Sequence, residues 1–73
     1  MVTNTQLLND AIKASGRTKT WLADQLGLSA FGLAKKINNE TEFKASEISK
    51  LCDLLGIKSM KEQHRIFFAA DVD

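Results

Sequence analysis

Few of the side chains that usually carry out catalysis occur in this 73-residue chain, and none of them stands in a catalytic pattern. His64 is the one histidine and Cys52 the one cysteine, and neither common spacing of a glycine-rich phosphate loop is present. His64 falls in a short polar helix, where a solvated side chain is expected, and Cys52 falls on an apolar helix face, where cysteine usually acts as a small hydrophobe. The Asp and Glu residues are scattered. We therefore expect no enzymatic activity, no cofactor, no metal and no small-molecule substrate.

Residues 18–39 contain the most informative pattern of the chain, which predicts two short helices joined by a tight turn. Thr18 is suited to cap the first helix, and Gly27 can adopt the positive φ that ends it. Ser29 is suited to cap a second helix from about Ala30 to Ile37. The apolar residues expected in the core are Leu22, Leu26, Leu33 and Ile37. Two short helices crossing at such a turn form a helix-turn-helix, a motif that binds DNA.

The remaining residues predict three more helices, so we expect a single all-α domain over residues 1–73, a compact bundle of about five short helices. The expected helices span about 4–15, 18–26, 30–37, 45–55 and 59–64, and residues 1–4 are expected to be a loose end. Thr3 with Gln6, and Ser59 with Glu62, have the spacing of capping boxes. Within the C-terminal tail, residues 65–73, the segment Ile66–Ala70 is apolar and rich in β-formers. It is expected either to fold back on the core or to form a strand that pairs with another subunit.

Several segments of the chain also resemble a known family. The residues that carry the resemblance are Leu22-Ala23, Leu26-Gly27-Leu28-Ser29, Leu33, Ile37, Asn38-Asn39, Ser46-Glu47-Ile48 and Leu54-Leu55-Gly56-Ile57. In this order and spacing they resemble the helix-turn-helix of phage Cro and repressor proteins, the lambda-repressor-like DNA-binding domains. The resemblance covers roughly residues 5 to 58. It implies a small transcriptional regulator, encoded by a phage or prophage, that binds double-stranded operator DNA, often as a homodimer.

The same resemblance implies which residues contact DNA, with residues 29–38 as the recognition helix in the major groove. Side chains near the start of that helix reach base edges, and flanking groups contact phosphates. Lys35 is able to donate to guanine, whereas Ala30 and Phe31 make only apolar contacts, for instance with a thymine methyl group. The candidate DNA-binding residues are Arg17, Lys19, Ser29, Ala30, Phe31, Ala34, Lys35 and Asn38.

A second function is compatible with the same fold. An exposed Phe31 flanked by Ala30, Gly32 and Ala34 would form a small apolar patch, and such patches often mark protein contacts. The chain is then an antirepressor or modulator that binds a partner repressor protein. Two simpler interpretations are that Phe31 turns inward against the preceding helix, and that Lys35-Lys36 is an ordinary solvated face.

Composition and charge place limits on both functions. Ten Lys and Arg against nine Asp and Glu give a net charge of +1, well below that of a strongly basic nucleic-acid binder. A hydrophobic fraction of 44% is typical of a soluble globular protein. A single cysteine excludes an intramolecular disulfide, and no apolar run approaches the ~18 residues of a membrane span. We expect a cytoplasmic protein of a bacterial host with no membrane contact.

Overall fold

Five α-helices and no strand form between residues 2 and 69, the residues that the computed structural model describes. The helices are α1 (Thr5–Ser15), α2 (Lys19–Leu26), α3 (Ala30–Ile37), α4 (Ala45–Leu55) and α5 (Met60–Phe67). The prediction of an all-helical chain with five short helices is therefore confirmed. The predicted bounds of the first four helices agree with the structure to within one residue.

Short polar residues begin most of these helices, and glycine ends three of them. The side chains of Asn4, Thr18, Ser29 and Ser59 each accept a hydrogen bond from a first-turn backbone N–H. Gly16, Gly27 and Gly56 follow α1, α2 and α4 with φ of 75°, 73° and 75°, a conformation that glycine adopts without strain. One prediction is corrected, because α1 is capped by Asn4 and not by a capping box of Thr3 and Gln6.

The core takes apolar side chains from all five helices. Its buried members are Leu8, Ile12, Leu22, Ala23, Leu33, Ile37, Phe43, Ile48, Leu51, Cys52, Ile57, Ile66 and Phe67. Of the four core residues predicted between Thr18 and Asn39, three are buried and Leu26 is half-buried against the cluster. Phe43 and Phe67 meet edge to face, with ring centroids 5.5 Å apart. α1 contacts α3, α4 and α5, and α2 contacts α3 and α4, so the pair α2–α3 is held from both sides.

The end of the chain differs from the prediction, since α5 continues to Phe67 instead of ending near His64. Ile66 and Phe67 are 2% and 1% exposed, and their burial outweighs the β-forming tendency of this segment. The fold-back alternative is thus confirmed for these two residues, and because both are helical the strand alternative is wrong for them. Ala70 lies outside the described residues.

Residues 2–4, here called the N-terminal strap, are not the loose end that the sequence predicts. Thr3 is 7% exposed, and its backbone N–H and C=O both bond to the side-chain amide of Asn39 at 2.9 Å. The Asn4 N–H donates to the Ile66 carbonyl oxygen at 2.6 Å, and the Val2 carbonyl oxygen accepts from the Ala69 N–H at 2.8 Å. The strap therefore joins the end of α3 to the end of α5. Met1 lies outside the described residues.

Candidate nucleic-acid interface

One side of α3 is turned away from the core and carries five of the predicted DNA-binding residues. We call this side the α3 outer face: Ala30, Phe31, Ala34, Lys35 and Asn38. Around the helix axis Phe31 and Lys35 point away from Leu33 and Ile37, which are 1% and 2% exposed, whereas Ala30 and Ala34 border the buried side of the helix. The structure leaves Ala30, Phe31 and Asn38 exposed and Ala34 and Lys35 half-buried.

Phe31 and Lys35 form the centre of the α3 outer face. Phe31 is 72% exposed, so the interpretation that it turns inward is wrong. The Lys35 ammonium lies 5.2 Å from the centroid of the Phe31 ring, within the range of a cation–π interaction. The two side chains are one helical turn apart and present a positive charge beside an aromatic surface. α3 carries no acidic residue that would neutralise this charge.

Lys36, the neighbour of Lys35, points to a different partner. Its ammonium lies 3.1 Å from the Glu47 carboxylate and donates to the Glu42 carbonyl oxygen at 2.8 Å. The Lys36 side chain is only 12% exposed. The interpretation of Lys35-Lys36 as one solvated face therefore does not hold, since one lysine faces outward and the other links α3 to α4.

The charge of Glu47 is stabilised by its surroundings. Burial by itself raises the pKa of this carboxyl group, but hydrogen bonds from the Lys44 backbone N–H and the Lys36 ammonium outweigh that effect. The pKa of Glu47 consequently lies below its ordinary value. Glu47 is ionised at neutral pH and holds Lys36 away from the α3 outer face.

Ser29 stands at the start of α3 and is exposed, as a contact to DNA requires. Its hydroxyl oxygen accepts a hydrogen bond from the Gly32 N–H at 2.9 Å, and the hydroxyl proton is free to be donated. A side chain at position 32 would place its Cβ atom 3.1 Å from the Ser29 Oγ atom. The glycine, which lowers helix propensity, thus leaves room for the cap.

Arg17 and Lys19 lie at the start of α2, apart from the α3 outer face. Both are exposed, and the Arg17 guanidinium stacks 4.5 Å from the centroid of the Trp21 ring. Stacking holds the guanidinium over the Trp21 ring and leaves its N–H groups able to donate to a phosphate. The sequence analysis did not predict this role for half-buried Trp21, because Arg17 lies before the N-cap Thr18 and the helical spacing rule does not apply to it.

Asn39 is a second residue whose role the sequence did not reveal. It follows α3 with φ of 66°, a left-handed conformation that asparagine tolerates better than most residues. That conformation ends α3 and aims the side-chain amide at the backbone of Thr3. The position of the α3 C-terminus thus depends on the N-terminal strap.

The described residues contain little else that suggests chemistry. Burial, together with the carboxylates of Asp53 and Glu62, raises the pKa of the Cys52 thiol to about 11, so the thiol is unreactive at neutral pH. No group of three potential metal ligands occurs between residues 2 and 69. Among the helices described, none has the length and apolar character needed to cross a membrane.

A shallow groove of about 260 Å³ lies between α1 and α5. Leu7, Ala11 and Ile66 form its apolar part, and Asp10 and Arg65 are among its charged lining residues. Its charges are mixed, so it has no clear preference for an anionic or a cationic ligand.

Comparison of the chain with protein-family models, with curated proteins and with solved structures gives no match.

Proposed function

We propose that this protein is a DNA-binding regulator of transcription of the Cro or repressor type. In this proposal α2 and α3 form a helix-turn-helix, and residues 29–38 are the recognition helix in the major groove. The observation that supports the proposal most is the α3 outer face. A large aromatic side chain that is 72% exposed contributes little to the stability of the fold, and it stands next to Lys35, which forms no ion pair within residues 2–69 and lies on a helix without acidic residues.

The basic residues proposed to contact DNA are few. Lys35 lies on α3, and Arg17 and Lys19 lie at the start of the helix that packs against it. Lys36 adds nothing because Glu47 neutralises it. Each neutralised phosphate changes the slope of log affinity against log salt by about −0.9, so three cations give a slope of about −3 per chain. A homodimer on two half-sites would double that slope.

The test is a salt titration of binding to duplex DNA taken from the intergenic region upstream of the coding sequence, with random duplex as the control. We expect selective binding that weakens as salt rises. Lys35→Ala should lower the affinity and reduce the slope by about one. Lys61→Ala, which removes an exposed lysine on α5, is the matched control and should change neither. Equal affinity for both duplexes at low salt would contradict the proposal.

The exposed aromatic ring also favours a second candidate function, that of an antirepressor or modulator that binds a repressor protein. Phe31 with Ala30 and Ala34 forms an apolar patch of the kind found at protein interfaces. In that case Phe31→Ala, and not Lys35→Ala, should have the larger effect on binding to a repressor encoded nearby. Calorimetric titration of the purified repressor with each variant separates the two functions.

A further inference from the structure

The chemistry of the α3 outer face limits what it can read in a major groove. Ala30, Phe31 and Ala34 carry no hydrogen-bonding group in their side chains. Lys35 has three donors and no acceptor, and Ser29 already accepts the Gly32 N–H. α3 contains no Asp or Glu, so it has no carboxylate to accept the cytosine amino group. Asn38, at the C-terminal end of the face, has an amide that both donates and accepts. The part of the face from Ala30 to Lys35 is therefore mainly an apolar surface with one strong donor, the Lys35 ammonium.

The apolar group that the major groove presents is the C5-methyl group of thymine, and the best acceptors for a lysine are O6 and N7 of guanine. We propose that the α3 outer face reads a thymine methyl group close to a guanine, with Phe31 contacting the methyl group and Lys35 donating to the guanine. This inference rests on the proposed DNA-binding function and names the feature of the operator that determines specificity.

The distance between the two side chains restricts the spacing of the two bases. The Lys35 ammonium lies 5.2 Å from the Phe31 ring centroid. Successive base pairs are about 3.4 Å apart along the duplex axis. The thymine and the guanine recognised by one α3 helix are therefore on adjacent base pairs or two steps apart. The cation next to the ring also provides the charge complementarity that brings an otherwise apolar surface to DNA.

The experiment starts with selection of binding sites from a randomised duplex library by the full chain. In the enriched site each thymine is then replaced by deoxyuridine, which removes the methyl group and keeps the base pairing. We expect the loss of one methyl group to weaken binding about fourfold, the factor that corresponds to burial of a single methyl group. The sensitive thymine should lie within two steps of a guanine.

Two variants assign the contacts. Phe31→Ala should still bind the site but should no longer distinguish thymine from deoxyuridine. Lys35→Ala should bind more weakly and keep the distinction. Met60→Ala is the matched control, because Met60 is 76% exposed and lies on α5. Thermal melting of each variant checks that the fold is retained, since none of the three side chains is buried.

Each outcome has a defined meaning. Enriched sites in which no thymine is sensitive to deoxyuridine would overturn this inference and leave the DNA-binding function in place. Sensitivity that persists in Phe31→Ala would overturn the role of the ring. Selection without any enriched sequence would overturn both the inference and the proposed function.

Discussion

Replacing Asn39 by glycine tests how strongly the N-terminal strap is held. The Asn39 side chain makes two hydrogen bonds of 2.9 Å to the backbone of Thr3, and Asn39 itself has φ of 66°. Glycine adopts this conformation without strain, so Asn39→Gly removes the two hydrogen bonds and leaves the backbone as it is. Asn39→Ala removes the same bonds and adds the cost of a Cβ atom in the left-handed region.

The expected loss of stability follows from these contacts. A typical intramolecular hydrogen bond contributes about 1 kcal/mol net to the free energy of unfolding, so Asn39→Gly should cost about 2 kcal/mol. Asn39→Ala should cost about 1 kcal/mol more, since the left-handed conformation disfavours residues with a Cβ atom by that amount. For a domain of this size each kcal/mol lowers Tm by roughly 4–8 °C.

Thermal and urea unfolding followed by circular dichroism measure these losses, and amide hydrogen exchange at Thr3 reports on the strap directly. Asn38→Gly is the matched control, because Asn38 is exposed and bonds within α3 through its backbone N–H. It introduces a glycine one position earlier without touching Thr3. Asn39→Gly and Asn38→Gly could instead have the same Tm, with amide hydrogen exchange at Thr3 no faster than in the wild type. The strap would then not depend on Asn39, and the reasoning would be refuted.

Three further predictions concern the core and the link between α3 and α4. Leu33→Ala should lower the free energy of unfolding by about 2–5 kcal/mol, because Leu33 is 1% exposed; unchanged urea unfolding would show that it is not a core residue. Lys36→Ala should destabilise the chain at neutral pH. The lowered pKa of Glu47 means that its contribution is present above the unfolded-state pKa of about 4.5 and is lost as pH falls through the folded-state pKa. The stability difference from wild type should therefore shrink as the pH is lowered below about 4.5, and a constant difference would contradict the ion pair. Deleting residues 66–73 removes two buried side chains from the core and should leave the chain unfolded by circular dichroism, whereas a wild-type melting curve would exclude this role.

Local signals made most of the helices predictable. Thr18, Ser29 and the three glycines in the left-handed conformation act within a few residues of the helix ends that they set. The strap was not predictable in this way, because Thr3 and Asn39 are 36 residues apart. The end of α5 was missed for the same reason, since burial of Phe67 against Phe43 is a tertiary contact.

In the candidate site too, features that depend on neighbouring residues were predictable and those that depend on another helix were not. The spacing of Phe31 and Lys35 on one helix face was sufficient to predict that they lie together. The difference between Lys35 and Lys36 was not predictable from adjacent positions in one helix, because it depends on Glu47 of α4. A sequence pattern thus identifies the helix face, and the neighbouring helix decides which charges remain on it.

The contacts of the N-terminal strap also have a consequence for synthesis of the chain on the ribosome. Val2 and Asn4 bond to backbone groups of Ala69 and Ile66, which are made much later. At a translation rate of about 5–20 residues per second, some 3–13 s pass between synthesis of the strap and synthesis of its last partner. In the second half of that interval α2 and α3 have been synthesised, but the strap still lacks its partners Ile66 and Ala69. The α3 helix therefore reaches its final support only when the last helix has left the ribosome.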